Sequence, residues 1–489
     1  MKVCLMCDLH LPTAQNAIQY DVLKWAIENA RQAHSDCILY AGDVTCDGNE
    51  AVYDFFLSAM KETKIPFFYI PGNSDLRSDK SRESIYQKAS RCKNQMKNIT
   101  VFAINDADKG VCDEQFAELD EAEDNSIVFM HHPIIDHDSQ TVDRLSLWRE
   151  AHPETMLFYG HLHTASMDGS SVSLQAMDPD KAIGEHPCIT YYDTDTRMLE
   201  QVYYPIEIPD DLDRYWGISC YAPLEQIQFA IDHHLNSLEL RPNCVRVDWN
   251  ELKAAVRRWR EAGGENLSIH LPDVGWVDDA LSVHSDYAKL LELVKDLQAE
   301  RVTQHVPMVS VKDVDRDPKI LVRIGEYLSE QFNSVSHELV IGIENMHMTA
   351  RDEAGENRRF GYLPEECLAF MRILKPMCRH TVGINFDIGH ARNNAPYSQT
   401  YPIGAWLATV GESVVGYHIH QVLHRNGKFE NHMPITDVYG PLISFSSLFH
   451  CWSTERIRKA PFVFEMRPEN AYKETLETFS SWKMKLQKE

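Results

Sequence analysis

A series of short apolar runs, each ending in residues that can bind a metal, constrains the fold of the first 200 residues most strongly. The runs are KVCLMC (2–7), CILYA (37–41), FFYI (67–70), SIVFM (126–130) and MLFY (156–159). Helix-like stretches separate some of them, and this strand–helix alternation predicts an α/β domain. Because ligands bind at the carboxyl ends of strands in α/β sheets, we expect the residues after these runs to meet at one edge.

Those residues form an ordered series, D-x-H, G-D, G-N, H-H-P and G-H-x-H. In D-x-H and H-x-H, the alternation of an extended segment would bring both ligands to one side. Each motif alone is common by chance, because a strand-end Asp often caps a helix and a lone His often lies in the core. Imidazole and carboxylate ligands together suit Zn, Mn or Fe. The whole series predicts a site for two divalent metals built from Asp8, His10, Asp43, Asn73, His131, His161 and His163.

The series resembles the calcineurin-like metallophosphoesterase family over about residues 1–205. The resemblance implies a β-sandwich flanked by helices and the hydrolysis of phosphate esters, with two cations stabilising charge on the phosphoryl oxygens. It also implies the ligands of each metal. One metal would bind Asp8, His10, Asp43 and His163, and the other would bind Asp43, Asn73, His131 and His161.

One position departs from the family pattern. Many members have G-N-H after the third strand, where the His protonates the leaving oxygen, but this chain has Gly72-Asn73-Ser74-Asp75. Loss of that acid slows the departure of poor alkoxide leaving groups unless another group replaces it. Asp75, His132 and His137 are the candidate replacements. Because some family branches without this His resemble phosphodiesterases, the departure favours a diester substrate over a monoester.

The second half contains eight further strand-like runs separated by helix-like stretches. They lie at 215–221, 237–241, 267–271, 301–306, 339–345, 382–389, 414–421 and 462–466. Eight strands with helical connections over ~270 residues are typical of a (β/α)8 TIM barrel. The sequence therefore predicts a first domain at 1–205, a polar linker at 206–214 and a barrel at 215–489.

Acidic and imidazole side chains also end the barrel runs, where barrel active sites lie. The predicted metal ligands are His270, His305, Glu344, Asp387, His390, His420, Glu430, His432 and Glu465. His418 also alternates inward, although we favour His420, and Glu239 is a further inward acid. One or two such groups would fit a polar core, but this many around one mouth would be costly without cations.

The barrel resembles the xylose isomerase-like superfamily over about 213–489, through IENMH, NFDIGH, HIHQV, ENH and FEMRPE. An endonuclease IV-like site would use all nine residues around three zincs, although this chain has Glu430-x-His432 where that family usually has Asp-x-His. An epimerase-like site would hold one metal such as Mn through Glu344, Asp387, His420 and Glu465. Its two glutamates would move a proton beside a carbonyl. Since this chain has a candidate ligand at all nine positions of the endonuclease IV-like site, the sequence favours that hydrolytic site over the epimerase-like one.

Three functions remain open. The favoured one is a metal-dependent phosphodiesterase whose barrel is also hydrolytic, acting on a small phosphodiester, a nucleotide or a sugar phosphate. The first alternative is a bifunctional sugar enzyme, in which the first domain releases a sugar or sugar phosphate that the barrel isomerises or epimerises. The second is a metal-retaining binding protein without turnover.

Composition limits the partners and the compartment. The net charge is −25 and no basic run occurs, which disfavours a long nucleic-acid partner. The twelve cysteines lack the spacing of a disulfide framework, which predicts a reducing cytoplasm. No apolar run reaches the ~18 residues of a membrane span. The sequence does not indicate an oligomeric state.

Overall fold

The chain forms two units in a computed structural model that describes residues 1–348, 358–394, 396–425, 428–440, 442–467 and 471–486. The first unit contains Met1–Ile206, Gln399–Ala405 and Tyr439–Ser447, and the second contains Glu207–Ser398, Trp406–Val438 and Leu448–Glu489. The sequence had placed 399–405 and 439–447 with the barrel, because contacts between distant segments leave no local pattern. Pro468 and Glu469 of the FEMRPE motif lie outside the described residues. No helix within these ranges is long and apolar enough to cross a membrane.

The first unit is built on two β-sheets. Its strands are β1 (Lys2–Met6), β2 (Cys37–Ala41), β3 (Phe67–Ile70), β4 (Lys93–Met96), β5 (Ile99–Ala103), β6 (Ile127–Met130), β7 (Met156–Tyr159), β8 (Ser166–Asp168), β9 (Ser171–Ser173), β10 (Cys188–Asp193) and β11 (Leu199–Tyr203). One sheet has the order β11-β10-β1-β2-β3, and the other has the order β4-β5-β6-β7-β9-β8. The strands β1, β2 and β3 are mutually parallel, as are β5, β6 and β7.

A shared apolar core joins the inward faces of these sheets. Leu5 and Leu39 contribute from the first sheet, and Val101 and Phe129 contribute from the second. The outer face of the second sheet is covered by a separate cluster that includes Trp148. Helices of this unit are α1 (Ile18–Gln32), α2 (Glu50–Lys61), α3 (Arg82–Gln87), α4 (Asp113–Leu119) and α5 (Ser139–Ala151). The predicted β-sandwich with flanking helices is confirmed.

The second unit is a closed barrel of eight parallel strands, as the sequence predicted. Its strands and those of its loops are β12 (Trp216–Cys220), β13 (Ser237–Leu240), β14 (Asn266–His270), β15 (Val274–Val277), β16 (Ala280–Val283), β17 (Arg301–His305), β18 (Val340–Glu344), β19 (Thr381–Asp387), β20 (Val414–Ile419), β21 (Gln421–Arg425), β22 (Lys428–Met433) and β23 (Phe462–Phe464). The barrel order is β12-β13-β14-β17-β18-β19-β20-β23, and two hairpins, β15-β16 and β21-β22, lie in its loops.

Helices connect the barrel strands. They are α6 (Pro223–Asp232), α7 (Trp249–Glu261), α8 (Tyr287–Asp296), α9 (Val311–Arg316), α10 (Lys319–Asn333), α11 (Pro364–Leu374), α12 (Ile388–Arg392), α13 (Tyr397–Thr400), α14 (Ile403–Val410), α15 (Ser446–Ser453) and α16 (Ala471–Leu486). Amphipathic spacing explains their placement: α7, for example, buries Leu252, Val256 and Trp259 on one face. The Asp248 carboxylate caps its first turn by accepting from the amides of Asn250 and Glu251.

We expect Phe129→Ala to destabilise the first unit by about 3–5 kcal/mol, because it removes a fully buried ring between the two sheets. Phe55→Ala is the matched control, since that ring is 43% exposed, and it should cost less than about 1 kcal/mol. Hydrogen exchange followed by mass spectrometry resolves the two units and would measure the effect in peptides from β1 and β6. Equal protection in both variants would contradict the proposed sandwich core.

Candidate metal centres

The first cluster forms where strands of both sheets of the first unit end. Asp8 and His10 follow β1 and Asp43 follows β2, whereas His131 follows β6. His161 and His163 follow β7. We had expected one sheet edge, but two sheets of the sandwich contribute because their strand ends coincide. The ligand atoms of one subset, Asp8, His10, Asp43 and His163, all lie within 4.8 Å of one another.

Asp43 lies between the two expected metal positions. Its Oδ2 is 3.5 Å from His10 Nε2, and its Oδ1 is 3.5 Å from His131 Nε2. His131 Nε2 is also 3.0 Å from Asn73 Oδ1, and its ring lies 5.1 Å from that of His161. The two oxygens of one carboxylate therefore face two different sets of ligands. This position of Asp43 fits the bridging role that the family resemblance implies.

The ligand-bearing loops adopt left-handed backbone, which changes the expected geometry of the two short motifs. Positive φ angles occur at five ligand positions, Asp8 (52°), His10 (47°), Asp43 (58°), His161 (67°) and His163 (59°). The D-x-H and H-x-H segments are therefore not extended. The expectation that alternation along an extended segment brings both ligands to one side does not hold here. Left-handed conformations cost free energy in residues with a Cβ and persist where surrounding contacts enforce them, often at functional sites.

Burial and neighbouring charges perturb the protonation of this cluster. Burial raises the pKa of Asp8 to about 7. Burial lowers the pKa of His131, but the carboxylates of Asp43 and Asp8 overcome this effect and raise it to about 9. Burial lowers the pKa of His161 to about 4 and that of His163 to about 3. The cluster thus holds buried carboxylates together with mostly neutral imidazoles, a donor set that fits transition-metal cations.

Ser74 and Asp75 hold the loops around the cluster. Ser74 Oγ donates to the carbonyl of Thr45 at 2.6 Å and lies 3.3 Å from His10 Nδ1. The carboxylate of Asp75 accepts hydrogen bonds from the amides of Val44, Thr45 and Gly72. This geometry makes Asp75 a positioning residue. It differs from the acid role that the sequence suggested, because both carboxylate oxygens are used by the backbone.

His132 has a nitrogen available near the cluster. Its Nδ1 lies 3.1 Å from the carbonyl of Asp106, and its buried Nε2 has no hydrogen-bond partner among the described residues. Its ring is 4.5 Å from that of His161. The Asp106 carboxylate accepts from the amides of His131 and His132 and lies 3.0 Å from His137 Nε2. His137 thus lies behind His132, and Asp106 was missed because β5, which precedes it, was not recognised.

Two groups of candidate ligands lie at the barrel mouth. His270, His305 and Glu344 form one, with their ligand atoms within 4.8 Å of one another. His270 Nε2 is 3.2 Å from Glu344 Oε2, and His305 Nδ1 is 2.6 Å from Asp273 Oδ1. The second group consists of His390, His420 and His432.

Asp387 and Glu465 lie beside these groups. Asp387 Oδ1 is 3.2 Å from His420 Nε2, while its buried Oδ2 has no hydrogen-bond partner within the part of the chain that the structure describes. Burial raises the pKa of Asp387, but His390 and His420 outweigh burial and hold it at about 2. Glu465 Oε1 accepts a hydrogen bond from the hydroxyl of Tyr221 at 2.9 Å. The unpartnered carboxylate oxygen and the surrounding imidazoles fit a divalent cation.

His418 lies below these groups, among three buried glutamates. Its Nε2 is 3.0 Å from Glu239, and its Nδ1 is 3.1 Å from Glu344 and 2.9 Å from Glu465. Burial lowers the pKa of His418, but these carboxylates raise it well above the usual value. We had favoured His420 over His418 as the inward residue, yet the structure buries both. Arg241, which directly follows β13 and lies 2.9 Å from Glu465, was missed although the strand-end argument applies to it.

Glu430 is the one predicted ligand that the structure does not bring to the barrel mouth. Its side chain is 45% exposed and lies 3.9 Å from Arg425 across the β21-β22 hairpin. His432, two residues later, is buried. The expected alternation is broken because His432 has a φ of 60° and the hairpin register shifts between Gln421 and Leu423. Glu430 and His432 therefore do not face the same side.

The fold and the first cluster together define a metallophosphoesterase type of unit. Residues 1–175 match the model of the calcineurin-like phosphoesterase superfamily domain, so the first unit carries a domain of that superfamily. Calcineurin-like phosphoesterases are typically dependent on divalent metals. The expected family assignment of the first half is confirmed.

Relatives cover parts of the chain. A protein of Xenorhabdus bovienii named as a probable cyclic nucleotide phosphodiesterase is 25% identical over 198 residues, covering 34% of this chain and 79% of that protein. A protein of Moraxella catarrhalis with the same kind of name is 30% identical over 76 residues, covering 15% of this chain and 27% of that protein. A solved D-tagatose 3-epimerase-like protein is 18% identical with a TM-score of 0.39, covering 56% of this chain and 98% of that one.

We expect Gly72→Ala to weaken metal binding by the first unit about 10–100-fold, an effect of the size seen when residues around metal ligands are disturbed. A Cβ at Gly72 would overlap the carboxylate and amide of Asp43 and displace the bridging position. Gly110→Ala is the matched control, because its Cβ would meet no atom closer than 3.5 Å. Metal content after dialysis against a weak chelator would measure the difference. Equal metal retention by both variants would contradict the assigned cluster.

Proposed function

We propose that the first unit is a two-metal phosphodiesterase for small substrates, such as cyclic or linear nucleotide diesters and sugar phosphodiesters. The observation that carries the proposal is the position of Asp43, whose two oxygens face separate ligand sets around one site. Mn, Fe or Zn would suit these ligands. When bound, the metals would supply charge for the phosphoryl oxygens and activate a water molecule.

The choice of a diester rests on two observations. Position 74 carries a buried serine whose hydroxyl is used to hold the loop and His10, so it cannot supply the acid found in many family members. The two relatives in the comparison are named as probable cyclic nucleotide phosphodiesterases. Both favour a diester over a monoester. The net charge of −25 agrees with a small substrate rather than a long nucleic acid.

Asp43→Asn should lower diester hydrolysis by the full-length chain at least about 10³-fold, because it removes the shared negative ligand. The assay would compare bis(p-nitrophenyl) phosphate, 3′,5′-cyclic AMP and p-nitrophenyl phosphate after loading with Mn²⁺ or Zn²⁺. Asp54→Asn is the matched control, since that side chain is 57% exposed on α2, and its rates should match the parent. Full activity in Asp43→Asn, or a preference for the monoester, would refute the proposal. Retained metal without turnover would identify a binding protein.

His132 is the proposed proton donor to the leaving oxygen. Its Nε2 is buried without a hydrogen-bond partner beside His161, and Asp106 fixes the other side of the ring. A positioned acid matters most when the leaving group is a poor one. The unprotonated p-nitrophenolate can leave without this help, whereas a ribose alkoxide cannot.

His132→Ala should therefore lower kcat for a cyclic nucleotide by about 10²–10⁴-fold and that for bis(p-nitrophenyl) phosphate by less than about 5-fold. Metal content should stay at the parental level. His152→Ala, a partly exposed histidine of the same unit, should change neither rate. Equal losses on both substrates together with lost metal would show that His132 is a ligand instead.

For the barrel, we propose a hydrolytic site with more than one metal. Two neighbouring groups of candidate ligands lie at its mouth, one around Glu344 and one around His390, and together they offer more ligands than a single ion needs. Zinc is the expected ion if three are bound. A stoichiometry of one Mn per barrel, with isomerisation of a free sugar, would instead support the sugar isomerase or epimerase alternative.

A further inference from the structure

An imidazole in the loop after β18, that of His347, lies beside the candidate ligands at the barrel mouth. His347 lies three residues after the end of β18, and its ring centroid is 4.4 Å from that of His390. Its Nδ1 is buried and has no hydrogen-bond partner in the described part of the chain. A buried ring nitrogen without a partner costs folding free energy, and a bound metal ion would satisfy it.

The neighbouring rings are already oriented for metal binding. His390 Nδ1 lies 2.9 Å from the carbonyl of Asn345, and His432 Nδ1 lies 3.3 Å from the carbonyl of Glu465. A backbone carbonyl at Nδ1 fixes the ring and leaves Nε2 as the free donor to a metal. The rings of His390 and His432 are 5.8 Å apart. His420 also has a carbonyl at Nδ1, that of Gln421 at 3.1 Å, but its Nε2 lies 3.2 Å from Asp387 Oδ1.

We propose that His347 completes an imidazole-only metal position with His390 and His432, in the role that the sequence had given to Glu430. Three neutral nitrogen ligands would suit Zn²⁺, which would supply Lewis-acid chemistry there. The carboxylate ligands Asp387 and Glu344 then serve the remaining metal positions of the mouth. This proposal concerns only the barrel and does not depend on hydrolysis by the first unit.

The number of zinc ions bound by the full-length chain tests whether His347, rather than Glu430, is a ligand. Zinc-saturated protein would be dialysed and its metal content measured for His347→Ala, Glu430→Gln and the exposed control His424→Ala. We expect His347→Ala to lose about one zinc per chain and the other two variants to keep the parental content. Parental content in His347→Ala, or the loss of one zinc in Glu430→Gln, would overturn the proposal.

A second variant distinguishes the loss of one ligand from the loss of zinc through misfolding. His347→Cys retains a possible ligand, and a thiolate bound to Co²⁺ gives a charge-transfer absorption that imidazole does not. Cobalt-loaded His347→Cys should gain this near-ultraviolet band relative to the cobalt-loaded parent, which contains the same twelve native cysteines. His424→Cys should not gain it. A folded His347→Cys chain without the added band would also overturn the proposal.

Discussion

Ionisable side chains that converge where parallel strands end are the constraint on which both units depend. In the first unit Asp8 and Asp43 are buried together, and in the barrel Glu239, Glu344 and Glu465 are buried together. Several carboxylates in one buried site repel one another and lose hydration, so they require positive partners. Histidines beside the carboxylates supply such charge, and the carboxylates raise the pKa of His131 and that of His418. Divalent cations would replace those protons.

The two units hold their ligands by different means. In the first unit the backbone does so: left-handed turns at Asp8, Asp43 and His161 aim the side chains, and glycines beside them leave room. In the barrel the candidate ligands lie at strand ends or in the segments that follow them, and backbone carbonyls beside the second ring nitrogen fix the rings of His270 and His390. The first site therefore depends on loop conformation, whereas the second depends on the surrounding carbonyl groups.

These differences explain what the sequence could predict. Strand-end reasoning identified both folds and nearly all clustered residues, because strands of a parallel sheet end on the same side. It failed for Glu430, where a left-handed residue breaks the alternation of side chains. It also missed Asp106, because β5 was not recognised. His347 was not predicted as a ligand although it is the last residue of IENMH, because the strand-end argument stopped at Glu344.

With Ser74 in place of an acid and His132 as the proposed proton donor, the side from which the leaving oxygen departs is fixed. In this chain the side chain at position 74 helps to orient His10, a residue of the first sheet, so it leaves no acid there. If His132 protonates the leaving oxygen, that oxygen must depart toward His132 and His161, whose rings are 4.5 Å apart. In-line displacement requires attack from the opposite face of phosphorus. The attacking water must then approach from the side of His10 and His163, whose ring nitrogens are 3.4 Å apart.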